Sequence, residues 1–200
     1  MLKTRKYVLL FLLVILISVG RLYSQKHTYT VHRAGKAIGE VTTSLSESDH
    51  TKTYKIISDV NFKVLWRRYN RRTSNLVVYE NEAVKTSFLG VYMNNDLEDS
   101  SSINLDQNKY NCYRYPDDRF VLNNTEVLFT TAKLYFQEPV GIQSIYSERF
   151  LQYCPLEPKG NHKYQLNLPN GRVNYYTYGD DELIEILVDR TWFNLEIRQK

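Results

Sequence analysis

The chain is poor in the residues from which most catalytic and metal sites are built: its 200 residues include only 2 cysteines and 4 histidines. Cys112 and Cys154 are too few for a disulfide framework, and their neighbours carry no metal-ligand spacing. One disulfide between them and two buried thiols both remain open readings. His27, His32, His50 and His162 are scattered, and His27 and His32 fall on opposite faces of a strand. There is no GxSxG elbow, HExxH pair, P-loop or GxGxxG turn, so no catalytic residue, metal or cofactor is expected. A long hydrophobic run is missing too. Tyr7–Val19 is uncharged, but its 13 residues fall short of the roughly 20 that a spanning helix needs.

That run has the flanks of an export signal. Lys3, Arg5 and Lys6 precede it, and small residues follow in Ser18-Val19-Gly20 and Tyr23-Ser24. Residues 1–24 therefore read as a signal peptide, cleaved after Ser24 or alternatively after Gly20, with an uncleaved anchor as the competing reading. No cysteine follows the run to take a lipid. Residues 25–200 then form a single domain, exported to the periplasm or cell envelope. The full chain carries 26 Lys+Arg and 22 Asp+Glu, but Lys3, Arg5, Lys6 and Arg21 precede Gln25, which leaves 22 of each sign. Net charge thus gives no support to nucleic acid or an anionic membrane as partner.

What the chain has in quantity is 17 Tyr and 8 Phe, beside many Val, Ile and Thr, a strand-forming composition. Strand patterns recur with turn signals between them: 27–33, 37–45, 53–66, 75–79, 83–93, 100–105 and 109–115. In 53–66, Tyr54, Ile56, Ser58, Val60, Phe62, Val64 and Trp66 share one face, while Lys55, Asp59, Asn61 and Lys63 share the other. Such a strand has a buried and a wet side. A second run follows at 142–147, 150–156, 162–168, 172–178, 182–189 and 192–198, with a tight hairpin turn at Asn170-Gly171. Between the runs, Asn123 and Glu126 have capping-box spacing, and Leu128, Ala132 and Tyr135 share a helical face. This predicts one short helix over 126–136, stopped by Pro139 and Gly141.

Four polar groups deserve a role. Arg67, Arg68, Arg71 and Arg72 divide two and two between strand faces, so they form no single patch and read first as a solvated strand end, second as an anion or lipid-headgroup site. Asp117-Asp118 and Asp180-Asp181 sit in turns, where their carboxylates bond local backbone. Ser147-Glu148-Arg149 reads as a structural clasp, with ligand binding as the sharper alternative. The tyrosines suit a half-buried sheet face with rings packed and hydroxyls wet. The alternative is a trough lined by Trp66, Tyr135, Phe136 and Tyr146 that accepts an apolar ligand, with Glu148 and Arg149 beside it.

Leu134-Tyr135-Phe136-x-Glu138-Pro139-x-Gly141, followed by Ser147-Glu148-Arg149, resembles a family of exported, uncharacterised proteins of Bacteroidota-type bacteria. The likeness extends through Tyr164-x-Leu166-x-Leu168-Pro169-Asn170-Gly171 and Asn174-x-Tyr176-x-Tyr178, and back to Tyr29-x-Val31, Gly35 and Ile38-Gly39. The resemblance implies kinship with YmcC-like exported proteins and a meander that curls into a barrel; it supplies no activity or ligand. The expectation is an all-β protein, a long antiparallel meander curled into an open or nearly closed barrel, with one short helix. Its expected function is non-catalytic binding of an apolar or lipid-like ligand in the envelope. A soluble scaffold for envelope protein partners and an outer-membrane β-barrel are the alternatives.

Overall fold

The computed structural model describes residues 23–123, 125–190 and 193–200. The predicted export segment lies outside these residues except for Tyr23 and Ser24, which open the first strand. The described residues form one antiparallel sheet of 14 strands. Eight come first: β1 (Tyr23–Arg33), β2 (Lys36–Ser48), β3 (Thr51–Val64), β4 (Arg67–Glu80), β5 (Ala83–Met93), β6 (Asp96–Asp106), β7 (Lys109–Arg114) and β8 (Asp118–Asn123). Six follow: β9 (Ser144–Ser147), β10 (Gln152–Gly160), β11 (Lys163–Asn167), β12 (Val173–Gly179), β13 (Glu182–Arg190) and β14 (Phe193–Gln199).

Neighbours in sequence pair throughout each run, and the runs join where β1 pairs with β14, in the register Val31↔Ile197. The sheet order therefore runs from β8 through β1 and β14 to β9, leaving β8 and β9 as the two edges. Alternation puts Tyr29 and Val31, Val41 and Leu45, Val77 and Tyr79, and Leu166, Tyr176 and Ile186 on the inner face, where they join one buried cluster. Strands at opposite ends of the sheet order contribute to that cluster, so the sheet is rolled into a barrel that its edges do not close. At Gly39 of β2 the neighbouring strand comes very near. A Cβ there would lie 2.1 Å from the Asp59 carbonyl oxygen, which only glycine permits.

The segment joining the edge strands runs through the barrel. Val127, Thr130, Ala132 and Leu134 are almost fully buried, and its one regular element is a 3-10 helix, Lys133–Tyr135. The helix predicted over 126–136 is thus reduced to a single turn. Around it the chain is extended: Thr130 forms an isolated parallel bridge with Tyr146, Tyr146 N–H donates to the Phe129 carbonyl at 2.9 Å, and Val84 N–H donates to the Val127 carbonyl at 2.9 Å. Leu128 is 50% exposed while Val127 and Phe129 beside it are buried, so burial here alternates as in an extended chain and does not follow the helical face of Leu128, Ala132 and Tyr135. Asn123, read as a helix cap, instead ends β8, a strand the sequence pattern did not mark.

The inner tyrosines bond to this plug and its surroundings. Tyr79 donates its hydroxyl to Thr130 Oγ1 at 2.9 Å, and Tyr178 donates to the Leu134 carbonyl at 2.8 Å. Tyr110 donates to the Val84 carbonyl at 2.7 Å and accepts from Val127 N–H at 3.3 Å. Burial pushes the phenols of Tyr79 and Tyr178 far above their ordinary range, which keeps them neutral donors. For Tyr79, Tyr110 and Tyr178 the expectation of wet hydroxyls is therefore corrected, while Tyr23, Tyr115 and Tyr153 remain exposed: a buried irregular backbone must be hydrogen-bonded, and phenols supply the reach.

Candidate functional site

The plug fills one end of the barrel and stops short of the other, leaving a cavity of about 340 Å³. Tyr135 and Thr131 of the plug contribute to its lining, as do Val31, Val41, Ile56 and Val60 from β1–β3 and Leu166, Val188 and Ile197 from β11, β13 and β14. The wall is apolar because each of these strands turns alternate residues inward. Asn75 and Asn174 also line it, and their side-chain oxygens have no protein donor among the described residues.

Arginines stand around the same space. Arg33, Arg71 and Arg149 all line the cavity. Arg149 Nε donates to Asp99 Oδ2 at 3.1 Å. Arg71 lies on the inner face of β4, in line with Thr73 and Asn75, and burial together with the like charge of Arg149 holds its guanidinium below its ordinary range. Arg71 faces the cavity and Arg72 is exposed, as alternation placed them on opposite faces, while Arg67 and Arg68 are both exposed at the start of β4. What alternation lacked was the knowledge that the inner face at that height borders a hollow.

The residues expected to form a ligand trough separate into distinct roles. Tyr135 and Arg149 line the cavity. Phe136 packs edge-on against His27 and Tyr54, with ring centroids 5.5 and 5.6 Å away. Tyr146 is fully buried against Tyr153, beside the Cys112 thiol. Trp66 is 81% exposed in the β3–β4 turn and lines no part of the cavity, because β3 ends at Val64 and its alternation ends there too.

Glu148 is 1% exposed and acts as a clasp. Its carboxylate accepts from Asn75 Nδ2 at 3.1 Å, from Thr131 N–H at 3.1 Å and from Ala132 N–H at 2.9 Å, and also from the Thr131 hydroxyl. Ser101 Oγ donates to the Glu148 carbonyl at 2.6 Å. One buried side chain thus ties the plug to β4, and its own backbone is tied to β6. A second clasp uses Glu138, from the sequence motif after the plug, which accepts from the Tyr164 hydroxyl at 2.6 Å and contacts His162 Nδ1 at 3.0 Å. Burial pushes this carboxyl up, but its bonds to Tyr164 and His162 outweigh that and hold it below the ordinary value. The cysteines are free and buried, and burial pushes the Cys154 thiol up to about 11, away from nucleophilic use.

The sequence model for DUF6134, a domain of unknown function, matches residues 29–200, and the chain belongs to that family. No curated protein matches it. Among solved structures it is similar to a beta-barrel-like protein of domain of unknown function DUF1849 from Brucella abortus, with a TM-score of 0.55 and 8% identity over 91% of this chain and 98% of that one. At such identity the likeness concerns the fold alone.

Two outcomes follow from the clasps. Glu148→Ala strands the buried Ala132 N–H, the Thr131 hydroxyl and the Asn75 amide, while Thr131 N–H keeps its bond to the Tyr146 carbonyl; it is expected to cost about 3 kcal/mol in chemical denaturation, with Glu148→Gln costing less. Glu138 has a folded value below its unfolded one, so its contribution is full above the unfolded value and is lost as pH falls through the folded one. In wild type, stability measured by denaturation should therefore fall on the acid side, below the ordinary carboxyl value of 4.5. Glu138→Gln should flatten that limb.

Proposed function

We propose that this member of the DUF6134 family is an exported, non-catalytic envelope protein that holds an apolar or lipid-like small ligand in the open end of its barrel. The observation that carries the reading is the half-filled interior: the plug, the tyrosines and both clasps occupy one end, and an apolar hollow remains at the other. A chain that needed only a stable core would gain by filling that space, since unfilled apolar volume forfeits packing contacts. The cavity's volume also falls within the range of small-molecule sites.

The polarity of the sheet favours this over a membrane-spanning barrel. On β3 the outward Lys55, Asp59, Asn61 and Lys63 are exposed while Tyr54 and Ile56 are buried. A lipid-facing barrel turns its apolar band outward and its polar residues inward, the reverse of this strand. Export, and the finer kinship with Bacteroidota-type and YmcC-like exported proteins, belong to the same proposal and rest on the N-terminal sequence and on the quoted motifs. The engagement of Glu148 by four donors within the fold supports the non-catalytic part.

Extraction of the natively purified protein with organic solvent, followed by mass spectrometry, checks the reading. A small apolar or amphiphilic compound should be recovered reproducibly from the wild type and lost when the cavity is filled by Val60→Trp. Repeated absence of any such compound, from protein prepared without detergent, would count against a ligand.

A further inference from the structure

Resting on that reading, we propose that the ligand is a single-chain amphiphile with an oxyanion head, a carboxylate or a phosphate, and that Arg71 binds the head. Arg71 and Asn75 are four residues apart on the inner face of β4, so their Cα atoms stand roughly 13 Å apart along the strand, and both line the cavity. Apolar walls from Val60, Leu168 and Leu195 line the same space. A guanidinium in such a setting is costly without a counter-charge. Asp99 is one of the carboxylates that act on Arg71, and Arg149 already engages Asp99 at 3.1 Å. Glu98 and Arg172 also act on Arg71 through space, but among the described residues no carboxylate forms an ion pair with it. The planar fork of arginine suits a carboxylate or phosphate in particular. The cavity of about 340 Å³ lies near the small end of the range of small-molecule sites. A volume of that size suits a single alkyl chain.

The test is calorimetric titration of the exported protein, stripped of co-purified compounds, with dodecanoate, dodecyl phosphate and dodecanol. Both anions should bind at least about tenfold more tightly than dodecanol. Arg71→Gln should bring them down to the dodecanol affinity while leaving dodecanol binding itself intact, which also shows that the variant is folded. Equal affinity for dodecanoate and dodecanol in wild type, or an anion preference that survives in Arg71→Gln, would overturn the head assignment while the cavity reading stands. Binding of none of the three would remove the cavity reading as well. Inorganic phosphate competing as strongly as dodecyl phosphate would mean a free-anion site and would overturn the amphiphile.

An independent observation concerns the β3–β4 turn, and from it we infer that this tip docks on an anionic lipid surface. Among the described residues, six two-residue turns have left-handed backbone at both positions, namely Ala34-Gly35, Asn81-Glu82, Asn94-Asn95, Gln107-Asn108, Asn161-His162 and Asp180-Asp181. Here the turn is Leu65-Trp66, 82% and 81% exposed, with Leu65 at φ 56°, a conformation unfavourable to leucine. Lys63, Arg67 and Arg68 are exposed around it, so local charge is positive although the chain from Gln25 is balanced. Phe62 stacks on Tyr69 beneath the tip, with centroids 5.6 Å apart and planes 19° from parallel, which stiffens the hairpin. Phe62 also lines the cavity, so the tip lies at its open end. Tryptophan favours the membrane interface, and nearby cations favour anionic headgroups.

Co-sedimentation with phosphatidylglycerol vesicles should retain the wild type, with at least about tenfold weaker partitioning of the Leu65→Ser, Trp66→Ser double variant and weaker retention on phosphatidylcholine alone. The melting temperature of the variant should not fall, because both side chains are exposed. Partitioning that is absent in wild type, or equal in the double variant, would overturn the inference.

Discussion

The structure depends on satisfying the backbone of a segment that lies inside a barrel without belonging to its sheet. A ladder strand exchanges its N–H and C=O groups with neighbours, but residues 125–136 form only one bridge and one 3-10 turn. From Phe129 to Leu134 most of this segment is buried, and each buried polar group left unpaired costs free energy comparable to a lost hydrogen bond. The chain meets this with long side chains that reach inward from the wall. Tyr79 and Tyr178 donate to the plug, Tyr110 accepts from it, and Glu148 collects donors from Thr131 and Ala132. Lys133 turns its ammonium back to the Leu128 carbonyl at 2.8 Å and covers the Tyr79 ring at 4.2 Å. Tyr79, Tyr110 and Tyr178 have their role there.

The same constraint sets where the hollow lies. Glu148 holds Thr131 and Ala132 against β4, and Glu138 holds the far end of the plug to β11 through Tyr164, so the segment cannot slide towards the open end. Tyr135 is the last aromatic ring it extends, edge-on to Tyr29 at 5.6 Å. Beyond that ring the wall remains apolar, and then the arginines begin. The change along β4 from Tyr79 and Val77 through Asn75 to Arg71 is a gradient from packed core to cationic rim within one strand. The order matches a molecule with an apolar end and an anionic end.

Much of this was legible in the sequence, and the limits have physical causes. Alternation marked most strands and set the inner face of β3 from Tyr54 to Phe62, because a half-buried strand repeats every two residues. It over-reached at Trp66, where the strand had already turned. The plug was misread as a helix because its apolar residues at 128, 132 and 135 happen to fit a helical spacing although the chain is extended there and exposes Leu128, and Asn123 fits a helix cap as well as a strand end. Glu148 and Arg149 were found by their odd position between Tyr146 and Phe150, and the clasp reading suits Glu148. Arg71 was visible as a charge but not as a cavity residue. That role depends on the pairing of β1 with β14, a long-range contact that no local pattern encodes.

The central claim is that the hollow end of the barrel, and not the plugged end, receives a ligand. Methyl-resolved NMR during titration with decanoate tests it most directly. The account predicts shifts concentrated at Val31, Ile56, Val60, Val188 and Ile197, with Val84, Val127 and Leu134 unmoved. Shifts centred on the plugged end or on the outer face, or none at saturating decanoate, would contradict it.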